Sequence, residues 1–188
     1  MKKKQTILFA FLLFATFNFF AQNKNASKYS IGQNIPELGG VIFHLDSTGQ
    51  HGLVCASEDQ STGSKWHHGA FTNTKTFDSI VGSGKTNTAK ILVSQGTKPY
   101  AAQLCNDLSQ GGFTDWYLPS KEELSLMFTN IGRGAKAPNK DVGNFASDFY
   151  WSSTELDLNF AWAQYFLEGN IFTDLKNHDC RVRAVRTF

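Results

Sequence analysis

Residues 111–131 read GGFTDWYLPSKEELSLMFTNI, and this stretch carries the strongest local folding signals in the chain. Ser120 and Glu123 have the spacing of a capping box, in which each side chain accepts a hydrogen bond from the backbone N–H of the other residue. A helix is therefore predicted to begin at Lys121, and Gly132 is predicted to end it in a left-handed turn. The apolar stripe that would face a core consists of Leu124, Met127, Phe128 and Ile131.

Short strands are predicted towards both ends of the chain. Apolar runs at residues 41–45 and 53–56, separated by a turn-rich segment, predict a first hairpin. Four later strands are predicted at residues 150–154, 161–166, 171–175 and 180–188. Both chain ends are therefore expected to lie in strands.

Two further helices are predicted in the middle of the chain. The helical spacing of Ala89, Leu92 and Val93 predicts a helix over residues 85–94. Pro99 at a first helical position predicts another helix, which ends before a Gly-Gly pair. Irregular loops are expected at residues 57–84 and 132–149. Helices between two groups of strands indicate an α+β domain, with two or three helices packed on short antiparallel strands.

The N-terminus has the pattern of a secretory signal peptide over residues 1–21. Three lysines precede an apolar run that ends at Ala21, and this run is too short to be a comfortable permanent membrane span. The net charge of +2 falls to about −1 without this segment, which gives the chain no reason to bind nucleic acid or acidic membranes. We expect a secreted or cell-surface protein with a flexible leader at residues 22–38 and one folded domain at residues 39–188.

Four motifs along the chain, in order, resemble the Lcl C-terminal domain family over about residues 39–188. They are DWYLPSKEELSLMF at 115–128, YWSSTE at 150–155, AWAQYF at 161–166 and VRAVRTF at 182–188. The resemblance implies an extracellular bacterial domain with a C-type-lectin-like fold, named for its place at the end of a collagen-like adhesin. The residues that the motifs mark as structural are Asp115, Trp116, Leu118, Pro119, Ser120, Glu123, Trp151, Ser152 and Ser153.

Cys55, Cys105 and Cys180 permit one disulfide in an exported protein and leave one thiol. The sequence does not choose among the three pairings. The C-type-lectin-like resemblance favours Cys105 with Cys180, because a helix cysteine often bridges to the last strand in such folds. Cys55 with Cys180 is the rival, since both lie in predicted strands.

The adhesin resemblance and the aromatic and Asx content favour a non-catalytic module that binds a glycan or glycoconjugate. Tryptophan rings can stack on sugars while carboxylates and amides bind the hydroxyls, although large aromatic residues in signature motifs are more often part of a core. Two arginines near the C-terminus either face an acidic polysaccharide or pair with Asp115 or Glu155. The candidate ligand-binding residues are Trp151, Glu155, Asp157, Asn159, Trp162, Asn170, Asp174, Asn177, Arg181 and Arg183.

No cofactor is expected, and calcium is the alternative. Oxygen-rich loops at residues 139–148, 155–159 and 168–179 supply the ligand types that calcium prefers. Asp and Asn are also common turn residues, so these loops do not by themselves indicate a metal site.

Two other functions compete with glycan binding. The sequence LPSKEEL also resembles formylglycine-generating enzymes, which oxidise a substrate cysteine with a reactive cysteine pair near their C-terminus. Here Cys180 is the one cysteine near the C-terminus, so the reactive pair is missing. A shared fold element therefore explains the likeness better than oxidase activity does. The second competitor is a structural or protein-binding domain of the cell surface.

Overall fold

The computed structural model describes residues 27–188, which form an α+β fold of three helices and two sheets. The helices are α1 (Gly84–Gln95), α2 (Ala101–Asn106) and α3 (Lys121–Ile131). The strands are β1 (Asn34–Ile35), β2 (Gly40–Leu45), β3 (Gly52–Cys55), β4 (Ser61–Ser64), β5 (Phe149–Glu155), β6 (Phe160–Tyr165), β7 (Ile171–Leu175), β8 (Cys180–Val182) and β9 (Val185–Thr187). The predicted fold class is confirmed, and the predicted signal peptide lies outside the described residues.

The two sheets have the strand orders β1-β2-β3-β9 and β4-β8-β5-β6-β7. β5 and β8 run parallel to each other, whereas the other pairs are antiparallel. The prediction of a single strand over residues 180–188 is wrong, because β8 pairs in the second sheet and β9 pairs in the first. The chain crosses between the sheets at Arg183 and Ala184. Residues 57–84, predicted as a loop, also contain β4.

Part of the expected leader is paired into the first sheet. Asn34 of β1 lies opposite Val41 of β2. The Tyr29 ring packs edge-to-face on Phe188, with ring centroids 5.2 Å apart. The described part of residues 22–38 therefore packs against the domain, and the two ends of the described chain lie together.

The capping box of α3 is present, and the helix begins at Lys121 as predicted. The Ser120 backbone N–H donates to Glu123 Oε2 at 2.8 Å, and the Glu123 N–H donates to Ser120 Oγ at 3.2 Å. The prediction of a left-handed end is wrong, since Gly132 has a φ of −97°. Glycine is required there for space: a Cβ would lie 2.8 Å from the carbonyl oxygen of Phe128.

We expect Ser120→Ala to lower the free energy of unfolding by about 1–2 kcal/mol, because the substitution removes a buried cap. Thr129→Ala on the exposed side of the same helix serves as the matched control. Urea unfolding of both variants checks the prediction. Equal stability of the two variants would show that the capping box does not stabilise α3.

α3 packs against β2, β5 and β6, and the segment before it pairs with β9. The Tyr117 N–H donates to Val185 O and the Val185 N–H to Tyr117 O, both at 2.9 Å. Trp116 and Trp151 are buried, which confirms that they belong to the core. None of the three helices in residues 27–188 has the length and hydropathy that a bilayer span requires.

The predicted helix over residues 85–94 is confirmed, but two of the three apolar residues that predicted it, Ala89 and Val93, are exposed. Asn87, Thr88 and Ile91 are buried, whereas Val93 is 88% exposed. The polar residues are buried because distant backbone groups satisfy them: the Leu118 N–H donates to Thr88 Oγ1 at 3.0 Å. α1 therefore presents an apolar face to solvent. α2 is shorter than the predicted helix that starts at Pro99.

The disulfide predictions are wrong in this structure, because all three cysteines are free and buried. Cys55 belongs to one hydrophobic cluster, while Cys105 and Cys180 belong to another. The Cys180 Sγ faces a carboxylate oxygen of Asp174 at 3.9 Å. Burial raises the pKa of the Cys55 thiol to about 11 and also raises the pKa of Cys105 and of Cys180.

Candidate functional site

A polar cavity of about 350 Å³ lies beside β8, and we call it the Asp59 cleft. Its walls come from the segment after β3, from β4, from the loop before β5 and from β8 with the residue that follows it. The lining residues are Glu58, Asp59, Thr62, Asn144, Phe145, Ala146, Arg181 and Arg183. The sequence separation of these segments shows that the cleft exists only in the folded chain.

The carboxylate of Asp59 is the fixed centre of the cleft. It accepts hydrogen bonds from Arg183 Nε at 2.7 Å, from Arg181 Nη1 at 3.1 Å and from the Tyr150 hydroxyl at 2.9 Å. Charge-assisted bonds of this kind are stronger than neutral ones. Since Asp148 also accepts from Arg181 Nε at 3.0 Å, the two arginines and the two aspartates hold one another in place.

Arg183 builds the wall of the cleft from inside the protein. Its guanidinium donates to the carbonyl oxygens of Ala56 at 3.1 Å, Gly143 at 2.9 Å and Asn144 at 3.3 Å. It also lies over the Phe145 ring, 4.6 Å from the ring centroid. Because its side chain is only 1% exposed, Arg183 positions the cleft and does not reach a ligand.

The rim of the cleft carries exposed polar side chains. Those of Glu58, Thr62 and Asn144 make no hydrogen bond within residues 27–188 and are exposed. Asn144 has a φ of 50°, a conformation that costs energy for a residue other than glycine. The bonds from Arg183 to Gly143 and Asn144 hold this conformation. A binding site requires rigid support under its polar groups, and the rim of the cleft has such support.

The family model of the Lcl C-terminal domain matches residues 56–186, most of the described chain and all of the Asp59 cleft. The chain belongs to this family. No curated protein matches the sequence. The matched region of this Lcl C-terminal domain therefore reaches from the residues of the cleft into β9.

Several predicted ligand-binding residues of the Lcl domain lie in its interior. Trp151 is fully buried, Glu155 is 1% exposed and Arg183 is 2% exposed. None of the three is placed to contact a ligand at the surface, so these assignments need correction. The proposed pairing of the arginines with Asp115 or Glu155 is also wrong. Arg186 holds Asp115 at 2.7 Å instead.

Glu155 forms a buried ion pair with Lys176, at 2.8 Å between Nζ and Oε2, and neither side chain is exposed. Its carboxylate also accepts from the backbone N–H groups of Thr74 at 3.1 Å and Thr76 at 3.2 Å. Burial by itself raises the pKa of Glu155, but the hydrogen bonds from Lys176 and Thr74 and the Lys176 charge bring it below its usual range. The bonds to the Glu155 carboxylate therefore fix residues 74–76 to the end of β5.

The predicted Asx ligands lie in or next to turns between strands. Asp157 Oδ1 accepts from the backbone N–H groups of Asn159 at 2.8 Å and Phe160 at 2.9 Å. Asp174 pairs with His178 at 2.7 Å. Asn170 bonds to Glu168, and Asn177 lies in the turn after β7. Throughout residues 27–188, no three His, Cys, Asp or Glu side chains come together in an arrangement that could hold a metal ion.

Trp162 is the predicted sugar-stacking residue that keeps part of its surface. It is half-buried on β6, and the ammonium group of Lys121 lies 4.3 Å from its ring centroid. One face of the ring is therefore already covered by a cation. Of the ten predicted residues, the Asp59 cleft brings together two, Arg181 and Arg183.

Sequence reasoning missed Glu58, Asp59, Thr62 and Phe145. They lie in segments predicted as loops, where no periodicity marks them. Asn144 was included in the oxygen-rich segment 139–148, but for calcium. The regular alternation of arginines after Cys180 was the signal closest to this site.

Proposed function

We propose that this Lcl domain is a non-catalytic binding module of the cell exterior and that it recognises a glycan or glycoconjugate in the Asp59 cleft. The observation that carries this proposal is the set of unpaired polar side chains on the rim. The ion pairs of Asp59 and Asp148 with Arg181 and Arg183 support this rim from below. A sugar hydroxyl both donates and accepts a hydrogen bond. The rim offers both: an acceptor in Glu58, donors in Arg181, and a group of each kind in Thr62 and Asn144.

The charges of the cleft favour a neutral sugar over an acidic one. The lining acids Glu58 and Asp59 balance Arg181 and Arg183, and Asp148, which pairs with Arg181 from outside the lining, adds one more negative charge, so an anionic ligand meets a net negative charge. The Nη2 group of Arg181 makes no hydrogen bond within residues 27–188, and Arg181 lines the same cavity as Glu58. A donor in Arg181 and an acceptor in Glu58 that line one cleft suit adjacent hydroxyls of one sugar ring.

Two further observations support a binding role outside the cell. The first 21 residues have the signal-peptide pattern. A reactive cysteine needs a lowered pKa and access to solvent, whereas the three cysteines here are buried and have raised pKa values. The oxidase alternative therefore receives no support from the cysteines.

We expect the double variant Glu58→Ala/Asn144→Gly to bind its best oligosaccharide about tenfold or more weakly, because each side chain contributes roughly 1 kcal/mol through a hydrogen bond. Glycine accepts the φ of Asn144, so the backbone is preserved. The ligand is chosen by screening the wild-type domain against neutral hexose and acidic uronate oligosaccharides. Calorimetric titration of wild type and variant then gives the affinities.

The control variant is Glu37→Ala, which removes an exposed carboxylate outside the cleft. It should bind as the wild type does. The same titrations with EDTA test the calcium alternative, in which binding would disappear. Binding of an oligosaccharide with the same affinity by the double variant would show that the Asp59 cleft is not the site.

A further inference from the structure

Exposed apolar side chains are concentrated in one part of the described chain. Five of its eleven exposed large hydrophobic residues fall within residues 71–93, and the most exposed are Val93 at 88%, Ile80 at 57% and Phe77 at 53%. Soluble monomers rarely gather apolar groups in this way unless the surface binds something.

The first half of this surface is a cavity of about 430 Å³, which we call the α1 groove. One face of α1 forms its floor, with Thr86, Ala89, Lys90, Val93 and Ser94 at helical spacing, and residues 73–75 form the facing wall. Its charged lining residues are Lys75 and Lys90, and neither has an ion-pair partner within residues 27–188. The α1 groove is therefore apolar and positively charged.

The wall of the α1 groove is held in one conformation. The N–H groups of Thr74 and Thr76 both donate to Glu155, and Lys75 between them has a φ of 55°. The Asn73 side chain accepts from the Lys75 N–H at 3.0 Å. Since buried bonds fix the residues on either side, the backbone of Lys75 is held in place and its side chain is exposed to solvent.

The second half of the surface is the 77–81 loop, with the sequence FDSIV. Its carbonyl groups point inward: Asp78 O accepts from Thr154 Oγ1 at 3.1 Å, and Ile80 O accepts from Ser120 Oγ at 2.9 Å. The neighbouring Gly82 N–H donates to Glu123 at 2.8 Å. The inward hydrogen bonds leave the side chains of Phe77, Ile80 and Val81 outside, so the loop displays apolar groups rigidly.

We propose that this surface binds a second copy of the chain, with the 77–81 loop of each copy in the α1 groove of the other. Asp78 is exposed, has no ion-pair partner within residues 27–188, and provides the negative charge that Lys75 and Lys90 lack. The apolar side chains of the loop match the aliphatic floor of the groove.

The two halves are neighbours on one molecule, because Lys75 and Phe77 are two residues apart. A surface that carries both a charge and its opposite is what a twofold symmetric contact requires, since each contact is then made twice. The α1 groove shares no lining residue with the Asp59 cleft. The inference is therefore independent of the proposed glycan site.

Light scattering after gel filtration, at micromolar to millimolar concentrations, tests the proposal on residues 27–188 and on the chain without its first 21 residues. Wild-type protein should show the mass of a dimer at the higher concentrations. Asp78→Lys alone and the double variant Lys75→Glu/Lys90→Glu should each raise the dissociation constant about tenfold or more, because each places like charges together. Lys136→Glu/Lys140→Glu, which reverses two lysines elsewhere, should dimerise normally.

A mixture of Asp78→Lys with Lys75→Glu/Lys90→Glu gives the decisive result. In a mixed dimer both contacts again join opposite charges, so the mixture should dimerise although neither variant does so alone. Recovery in the mixture also shows that both variants are folded. A wild-type protein that remains monomeric at every concentration would overturn the proposal, and so would charge variants that dimerise normally or a mixture that stays monomeric.

Discussion

Glu155→Gln is expected to lower the free energy of unfolding by about 3–5 kcal/mol, although it keeps the size of the side chain. The substitution leaves the Lys176 ammonium group buried without its counter-charge. Lys176 still donates to the carbonyl oxygens of Asp157 at 2.8 Å and Leu158 at 3.2 Å, but neutral acceptors do not replace a carboxylate. Chemical denaturation of the wild type and the variant at neutral pH measures the loss.

The pH dependence of stability distinguishes a lost charge from a packing defect. In the wild type, the pKa of Glu155 is lower in the folded than in the unfolded state, so its contribution is present above the ordinary pKa of 4.5 and disappears as the pH falls through the lowered pKa. The stability of Glu155→Gln should not show this decrease as the pH falls.

The variant should instead regain stability as the pH rises towards 10.5, the ordinary pKa of lysine. Burial lowers the pKa of Lys176 more than the hydrogen bond and the charge of Glu155 raise it. Without that carboxylate, the pKa of Lys176 in the folded state falls further below its pKa in the unfolded state. Stability rises with pH wherever the unfolded state binds more protons.

Glu155→Gln combined with Lys176→Met is the matched test, because it removes both buried charges. It should be more stable than either single variant, since a buried pair can often be replaced by uncharged residues at little cost. Asp179→Asn is the surface control: the Lys65–Asp179 pair is 3.8 Å apart with side chains 52% and 60% exposed, and its loss should cost less than about 1 kcal/mol. Additive losses in the double variant would contradict the ion-pair explanation.

The elements that the sequence predicted well depend on residues close together in the chain. The cap of α3 involves Ser120 and Glu123, three positions apart, and the first hairpin joins two neighbouring apolar runs. Both signals can be recognised without knowledge of the fold. They placed α3 and the hairpin of β2 and β3 correctly.

The errors arise where the partner of a residue is far away in sequence. Thr88 is buried on α1 because Leu118 supplies its hydrogen-bond donor, thirty residues along the chain. A prediction from apolar spacing treats such a threonine as a surface residue. It therefore assigned Ala89 and Val93 to the buried face of α1, although they are exposed. The break between β8 and β9 has the same origin, since alternation continues through Ala184 while the two halves pair with different sheets.

The candidate site was out of reach of the sequence for the same reason. Asp59 is 122 residues from Arg181 and 124 residues from Arg183, and a lone aspartate in a polar loop gives no sign of either contact. Glu155 was predicted to bind a ligand or to pair with an arginine, and Lys176, its actual counter-charge, was not considered because lysine is a residue type that is seldom buried. Only the fold shows that the two charges satisfy each other.

Arg183→Met is expected to destabilise the domain by about 3–5 kcal/mol. The substitution leaves the carbonyl oxygens of Ala56, Gly143 and Asn144 without their donor in the interior, and each such group is costly when unpaired. Arg183→Lys should lose a large part of the same stability. One ammonium group cannot reach the three carbonyl groups and Asp59 together, whereas the planar guanidinium does.

Arg181→Met is the matched control, because Arg181 lies two residues earlier and binds the same carboxylate of Asp59. Its side chain is 22% exposed, compared with 1% for Arg183, and water can replace its lost bonds, so a loss of about 1 kcal/mol is expected. Thermal and urea unfolding of the three variants gives the comparison. If Arg181→Met and Arg183→Met lose equal stability, burial is not what makes Arg183 important. The expected difference would instead show that Arg183 holds residues 143–144 in place. Asn144→Gly then tests what the Asn144 side chain contributes to ligand binding, because this substitution leaves the wall that carries it undisturbed.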